Sequence, residues 1–231
     1  MLSVSSIEII EYYSKEFLNS KNIYSILKMV RWLFGYFQVL SSYIYKNKCF
    51  LLNIDYTRPI RIELGSGNRK MLGWIGIDMT DSSDITMVIE NKIPFQNDTV
   101  DEIYTSHMLE HFYYREMVDV LKECLRILKP GGRIRIAVPD ASIYISGYFN
   151  ANEFNVSHYC RYQPGYHKNS RIDIINYIAF VNMYHRYMFD GENLVLVLEK
   201  VGFENVELEE FRPEIDNPDR KYESIYAVGH K

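Results

Sequence analysis

Apolar residues recur at helical spacing along the first third of the chain: Ile7, Ile10, Tyr13 and Phe17, then Ile23, Leu27, Val30, Phe34 and Phe37. Arg58-Pro59 breaks that rhythm, and residues 1–57 are therefore expected to form a helical extension. From Ile60 the texture changes to short apolar runs between turns. IRIEL (60–64), WIGID (74–78), ITMVI (85–89), DEIYTS (101–106) and RIRIAVP (133–139) read as strands. Between the last two, Met117, Leu121, Leu125 and Leu128 fall on one helical face, and Pro130-Gly131-Gly132 is expected to stop that helix. Helices interleaved with short apolar strands predict an α/β sheet that is mostly parallel.

After Asp140 the periodicity fades. Residues 145–188 are aromatic-rich, contain the loop signal QPGYHKNS, and are expected to form an insertion or lid. Order returns at 190–203, a helix that Asp190 can N-cap and Gly202 can end. Strands are expected over 204–211 and 223–231. The chain thus divides into an N-terminal helical extension, 1–57, and an α/β domain, 58–231.

Composition narrows the class. With 231 residues, 47% hydrophobic and 24% charged, the chain can bury a core without staples. A formal charge of −4 argues against a general nucleic-acid binder, which needs a basic surface. Three scattered cysteines argue against a disulfide framework or a zinc cage and fit a reducing cytoplasm. The N-terminus lacks a basic run ahead of Glu8 and Glu11, unlike a signal peptide. The most apolar stretch, MVRWLFGYFQVLSSYIY, is interrupted by Arg31 and Gln38, so stable membrane insertion is not expected.

Two motifs carry candidate chemistry. Glu63-Leu64-Gly65-Ser66-Gly67-Asn68 follows a strand, and its paired glycines permit a tight turn and close approach of a ligand. A dinucleotide fingerprint would place a third glycine where Lys70 stands, and its acid well beyond Asp78. His107-Met108-Leu109-Glu110-His111 matches H-x-x-E-H, which on a helix would direct two imidazoles to one face as in zinc peptidases. A zinc site of that kind needs a third ligand for which the local sequence holds no signal. It is kept as an alternative, with no metal otherwise expected.

Taken together, RIELGSGNRKMLGWIGIDM, IPFQNDTVDEIYTSHMLEHF and LKECLRILKPGGRIRIAVPD resemble the class I S-adenosylmethionine-dependent methyltransferases. They resemble in particular a bacterial branch associated with glycan and cell-surface biosynthesis. The resemblance implies a Rossmann-like sheet with an antiparallel last strand, S-adenosyl-L-methionine as cofactor, and methylation, on oxygen by preference, of a small-molecule or glycan-intermediate acceptor. It implies that Gly65, Ser66 and Gly67 line the methionine half of the cofactor and that Glu63 meets its ammonium. Asp78 would accept from both ribose hydroxyls, with Met79 beside it, and Ser106 would face the sulfonium. The adenine-binding acid of relatives aligns with Val88, leaving Glu90 as its substitute. That departure also keeps open a non-catalytic cofactor-binding scaffold.

An oxygen or nitrogen acceptor must lose a proton, and imidazole is suited to take it near neutral pH. His107, at the expected mouth of the cleft, is the first candidate, followed by His111 and His185. Tyr144, Tyr148, Phe149, Tyr159, Tyr162, Tyr166 and Tyr184 are expected to offer an acceptor surface, with packing of the lid as the competing role. Arg161 and Arg186 would anchor a phosphate or carboxylate, unless Arg186 pairs with Asp190 or Glu192. The N-terminal helices are a candidate homodimer surface.

Overall fold

The computed structural model describes residues 44–69, 71–89, 92–162, 170–181 and 183–231. The chain divides into two units, Met1–Ile54 and Asp55–Lys231. In the first, residues 44–52 are helical, and the apolar periods at 7–37 lie outside the described residues. No helix among the described residues is long and apolar enough to cross a membrane.

The second unit is built on seven strands: β1 (Arg61–Leu64), β2 (Ile75–Asp78), β3 (Ile85–Thr86), β4 (Val100–Ser106), β5 (Leu128–Pro139), β6 (Glu204–Glu209) and β7 (Ser224–His230). Their order across the sheet is β3-β2-β1-β4-β5-β7-β6. Strands β1 to β5 pair in parallel, and β7 runs antiparallel to both β5 and β6. This is the Rossmann-like α/β sheet with one reversed strand that the sequence predicts. Ile62, Leu64, Ile77, Ile103, Ile134 and Ile136 are fully buried, because sheet strands covered on both faces need apolar side chains on both.

Three boundaries differ from expectation. The edge strand β3 is limited to Ile85–Thr86, which pair only with Ile77 and Asp78. Strand β5 begins at Leu128, pairs there with Val100, then shifts register to pair Arg133 with Glu102. The Pro130-Gly131 turn is thus an irregularity inside the strand, pinned where the Gly131 amide donates to Lys231 O (2.8 Å). Helix α1 (Tyr114–Ile127) buries Met117, Val120, Leu121, Cys124 and Ile127, with Leu125 only half-buried. Its buried face therefore turns toward Val120, Cys124 and Ile127, and Leu125 lies at its edge.

The expected aperiodic lid is helical over much of its described length: α2 (Ala141–Phe149), α3 (Val156–Tyr159) and α4 (Ile172–Phe180). Ala141, Tyr144, Cys160, Ile174, Tyr177 and Ile178 form a core of their own there. Tyr144 stacks on Tyr177 at 5.8 Å and donates to Glu223 Oε2 at 3.0 Å. Tyrosine serves as a core residue here, so a search for aliphatic periods passes over these helices. Helix α5 (Gly191–Val201) matches its prediction: the Asp190 side chain accepts from Asn193 N, and Gly202 closes the helix at φ +114°.

Candidate active site

The carboxyl ends of the parallel strands bring two groups of candidate residues to one edge of the sheet, where open α/β sheets bind ligands. The first group surrounds β1 and β2, which are joined by residues 65–74 with no helix among the described ones. Gly65 and Gly67 have φ +71° and +53°. The Gly65 and Ser66 amides both donate to Ile77 O, at 2.9 and 3.4 Å. The Gly67 amide donates to Asp78 Oδ2 at 2.9 Å, and the Thr80 amide to Oδ1 at 3.0 Å. Each Asp78 oxygen retains a further lone pair.

The two glycines have different reasons to be glycine. A Cβ on Gly65 would stand 2.9 Å from Met108 Cβ, so its bareness makes room for protein. A Cβ on Gly67 would meet nothing within 4 Å among the described residues, which leaves that side of the turn clear of them. The Ser66 amide donates to Ile77 O, while its buried hydroxyl has no hydrogen-bond partner among the described residues and lies 2.8 Å from where a Cβ on Gly76 would stand.

Glu63 is buried on β1. Burial pushes its carboxyl up to about 7, against the pull of Arg69, whose guanidinium lies 3.7 Å away, and with Asp78 adding to the rise. Met79 is exposed, Ser106 ends β4 opposite Ala137 of β5, and Val88 is half-buried. Glu90 lies outside the described residues.

The second group lies past the ends of β4 and β5, around a cavity of about 180 Å³ lined by His107, Glu110, His111, His185, Tyr177 and Arg220 among others. The three candidate bases therefore converge. The helix expected for H-x-x-E-H does not form: His107 is left-handed (φ +51°) and Leu109–His111 is a single 3₁₀ turn. His107 Nε2 lies 2.7 Å from Ser224 Oγ, and its Nδ1 lies 3.5 Å from Glu110 Oε1. Burial first, then the positive charge of Arg220, holds His107 well below the usual histidine range. Burial likewise pushes His185 down to about 4 and the fully buried Glu110 up to about 8. All three prefer their neutral forms.

The aromatic residues divide between the cavity wall and the packing of the helices. Tyr162 and Tyr184 line the cavity, Tyr144 and Tyr159 pack the helical subcore, Tyr148 abuts Phe149 at 5.3 Å, and Tyr166 lies outside the described residues. Arg161 lies over the Tyr222 ring at 3.7 Å and Arg186 over Tyr113 at 4.4 Å. Asp190, an expected partner of Arg186, is instead occupied as the α5 cap. The cation on the cavity wall is Arg220, bonded to Glu223 Oε1 at 2.9 Å, which sequence reasoning passed over. Its i, i+3 spacing from Glu223 ahead of the last strand was the available signal.

The chain matches a family model described as a methyltransferase domain over residues 50–208. Similar solved structures include a SAM-dependent methyltransferase from Archaeoglobus fulgidus, 14% identical, covering 84% of this chain and 92% of that chain with a TM-score of 0.48. Another is a SAM-dependent methyltransferase from Thermotoga maritima, 16% identical, covering 88% and 97% with a TM-score of 0.48. No curated protein matches the chain.

Proposed function

The chain belongs to the methyltransferase-domain family, and from that premise we propose that it transfers a methyl group from S-adenosylmethionine to an oxygen of a small-molecule or glycan-intermediate acceptor. The observation that carries the cofactor half is the Gly67–Asp78 hydrogen bond, which aims a carboxylate with spare lone pairs at the open side of the glycine turn. Asp78 would hold the ribose hydroxyls. Glu63 would meet the ammonium, whose charge compensates a carboxylate that burial otherwise keeps protonated. Gly65 and Ser66 would line the methionine half beside Gly67.

The sulfonium supplies an activated methyl, so the protein's task is alignment, exclusion of water and removal of one proton from the acceptor. The cavity past β4 and β5 supports the acceptor half. Tyr162, Tyr177 and Tyr184 offer ring faces and hydroxyls to a sugar or similar polyol, and Arg220 offers positive charge. The imidazoles of His107, His111 and His185 would stand on the wall where the proton must go.

The test has two arms. S-adenosylhomocysteine should raise the melting temperature by mass action, while NAD should not. Label from S-adenosylmethionine should then pass to a member of a panel of sugar nucleotides and glycolipid intermediates. Absence of any S-adenosylhomocysteine effect at millimolar concentration overturns the cofactor reading. Binding without transfer to any hydroxyl acceptor favours the non-catalytic scaffold.

A further inference from the structure

Three imidazoles on the cavity wall have one ring nitrogen already engaged. His111 Nδ1 lies 2.9 Å from the Tyr184 carbonyl, and His185 Nδ1 lies 2.9 Å from the Ile178 carbonyl. A carbonyl only accepts, so each ring carries its proton on Nδ1 and leaves a lone pair on Nε2. His107 follows the same logic. Ser224 Oγ donates to Arg220 O at 2.7 Å and so accepts from His107 Nε2, which leaves the lone pair on the Nδ1 that approaches Glu110.

Glu110 stands among these lone pairs. It is 1% exposed, it lines the cavity, and neither of its oxygens has a hydrogen-bond partner among the described residues. His107, His111 and His185 thus each turn one ring nitrogen that is not held by a backbone carbonyl or by Ser224 toward the cavity, where the Glu110 carboxyl has no hydrogen-bond partner among the described residues. A buried carboxyl without a partner is costly, and a cation held beside it by the two imidazoles would remove that cost.

We propose that Glu110, His111 and His185 bind a divalent transition-metal ion of the zinc class, with its remaining positions open to the cavity. One ligand atom from each of the three lies within 4.8 Å of the others, and His111 Nε2 is 3.9 Å from Glu110 Oε1. Ligands on tetrahedral zinc at bond lengths of about 2.1 Å stand about 3.4 Å apart, so each side chain closes by less than about 1 Å. The bonds from both Nδ1 atoms to backbone carbonyls set the tautomer and ring orientation that metal-bound histidines require. Two nitrogens and one oxygen favour zinc, cobalt or nickel over magnesium and calcium.

His185 is the third ligand that the H-x-x-E-H string lacks, and it reaches the cavity from the chain after α4. His107 stays at the side of Glu110, held to Ser224. This site goes beyond the methyl-transfer reading and shares its cavity, leaving His107 as the candidate base that is not a ligand. With the ion bound, His111 and His185 are ligands, and the ion's open positions face the acceptor cavity as a Lewis acid.

The experiment uses the full chain, stripped with a chelator and titrated with zinc by calorimetry and with cobalt(II) by visible absorption. One ion per chain should bind saturably, with a cobalt spectrum of nitrogen and oxygen ligation. His111→Ala, Glu110→Gln and His185→Ala should each weaken binding by at least about tenfold. His111 is largely exposed and Glu110→Gln preserves shape, so folded variants are expected, as thermal unfolding will verify. No saturable binding would mean that a proton on Glu110 fills the role, and the proposal falls. Native-like binding by all three variants, or a cobalt–thiolate band, would place the ion elsewhere and equally overturn it. S-adenosylhomocysteine affinity measured on the same samples separates this outcome from the fate of the methyltransferase reading.

Discussion

The amide of Gly67 and the carboxylate of Asp78 are joined by a 2.9 Å hydrogen bond that ties the turn after β1 to the end of β2. The neighbouring loop tightens the tie, since Thr80 Oγ1 and Ser82 Oγ both donate to Gly67 O, at 3.1 and 3.3 Å. The conformation of the turn and the aim of the carboxylate are therefore one structural unit.

Asp78→Ala should lower affinity for S-adenosylhomocysteine at least about tenfold, because hydrogen bonds to a charged acceptor contribute about 1.5–3 kcal/mol each. Asp78→Asn, which keeps one acceptor oxygen, should lose less. Calorimetry on both variants measures this, and unchanged affinity for the alanine variant would remove Asp78 from the site.

The glycines should respond unequally. Gly67→Ala pays only for a left-handed backbone, about 1–2 kcal/mol, because its Cβ enters open space. Gly65→Ala pays that and also displaces Met108, so its loss of stability should be clearly larger. In a domain of this size each kcal/mol lowers Tm by about 2–4 °C, which thermal unfolding resolves. Equal losses would show that Met108 yields freely.

Glu63 makes stability and ligand affinity depend on pH in opposite senses. Its folded carboxyl titrates at about 7, mainly through burial, against an ordinary value of 4.5. The folded state therefore holds the proton throughout the interval between those values, and stability falls as pH rises from about 4.5 to about 7. Glu63→Gln should abolish that part of the slope. A cationic ammonium favours the ionised carboxyl, so wild-type affinity for S-adenosylhomocysteine should increase as pH rises through 7. The glutamine variant should show a flatter profile.

Arg135 is buried on β5, where Nε donates to Asp216 Oδ1 at 2.9 Å and Nη2 donates to the Glu210 carbonyl at 2.8 Å. Asp216 also accepts from the Arg212 amide at 2.7 Å. Arg135 also pairs with Glu209, so Asp216→Ala leaves the buried guanidinium one of its two carboxylates and should cost about 3 kcal/mol, the lower end for breaking a buried pair. In an Arg135→Met background the same change should cost far less. Urea unfolding of the four proteins provides the double-mutant cycle, and additive losses would rule out coupling.

Much of the sheet is legible before folding. Ile62, Leu64, Ile77, Ile103, Ile134 and Ile136 form short apolar runs because a strand covered on both faces has little need of polar alternation. Asp190 and Gly202 mark the ends of α5 because capping is local chemistry. The helices α2, α3 and α4 leave little aliphatic period in the sequence because their core is made of Tyr144, Tyr177 and their neighbours. Their hydroxyl tips obscure apolar periodicity while their rings bury as well as aliphatic side chains do.

What the sequence determined alone are the features set by neighbours within a few residues: the strand runs, the glycine turn, the α5 caps and the presence of histidines near strand ends. What the tertiary structure decided are relations between distant segments. It made Gly65 a seat for Met108, turned Ser66 inward over Gly76, and ended β3 after two residues at the sheet edge. It brought His185 within 5.3 Å of His111, ring to ring, across a cavity that also receives Arg220. No local pattern encodes these meetings, because they depend on strand order and helix packing, which the chain settles only when distant apolar faces are buried against one another.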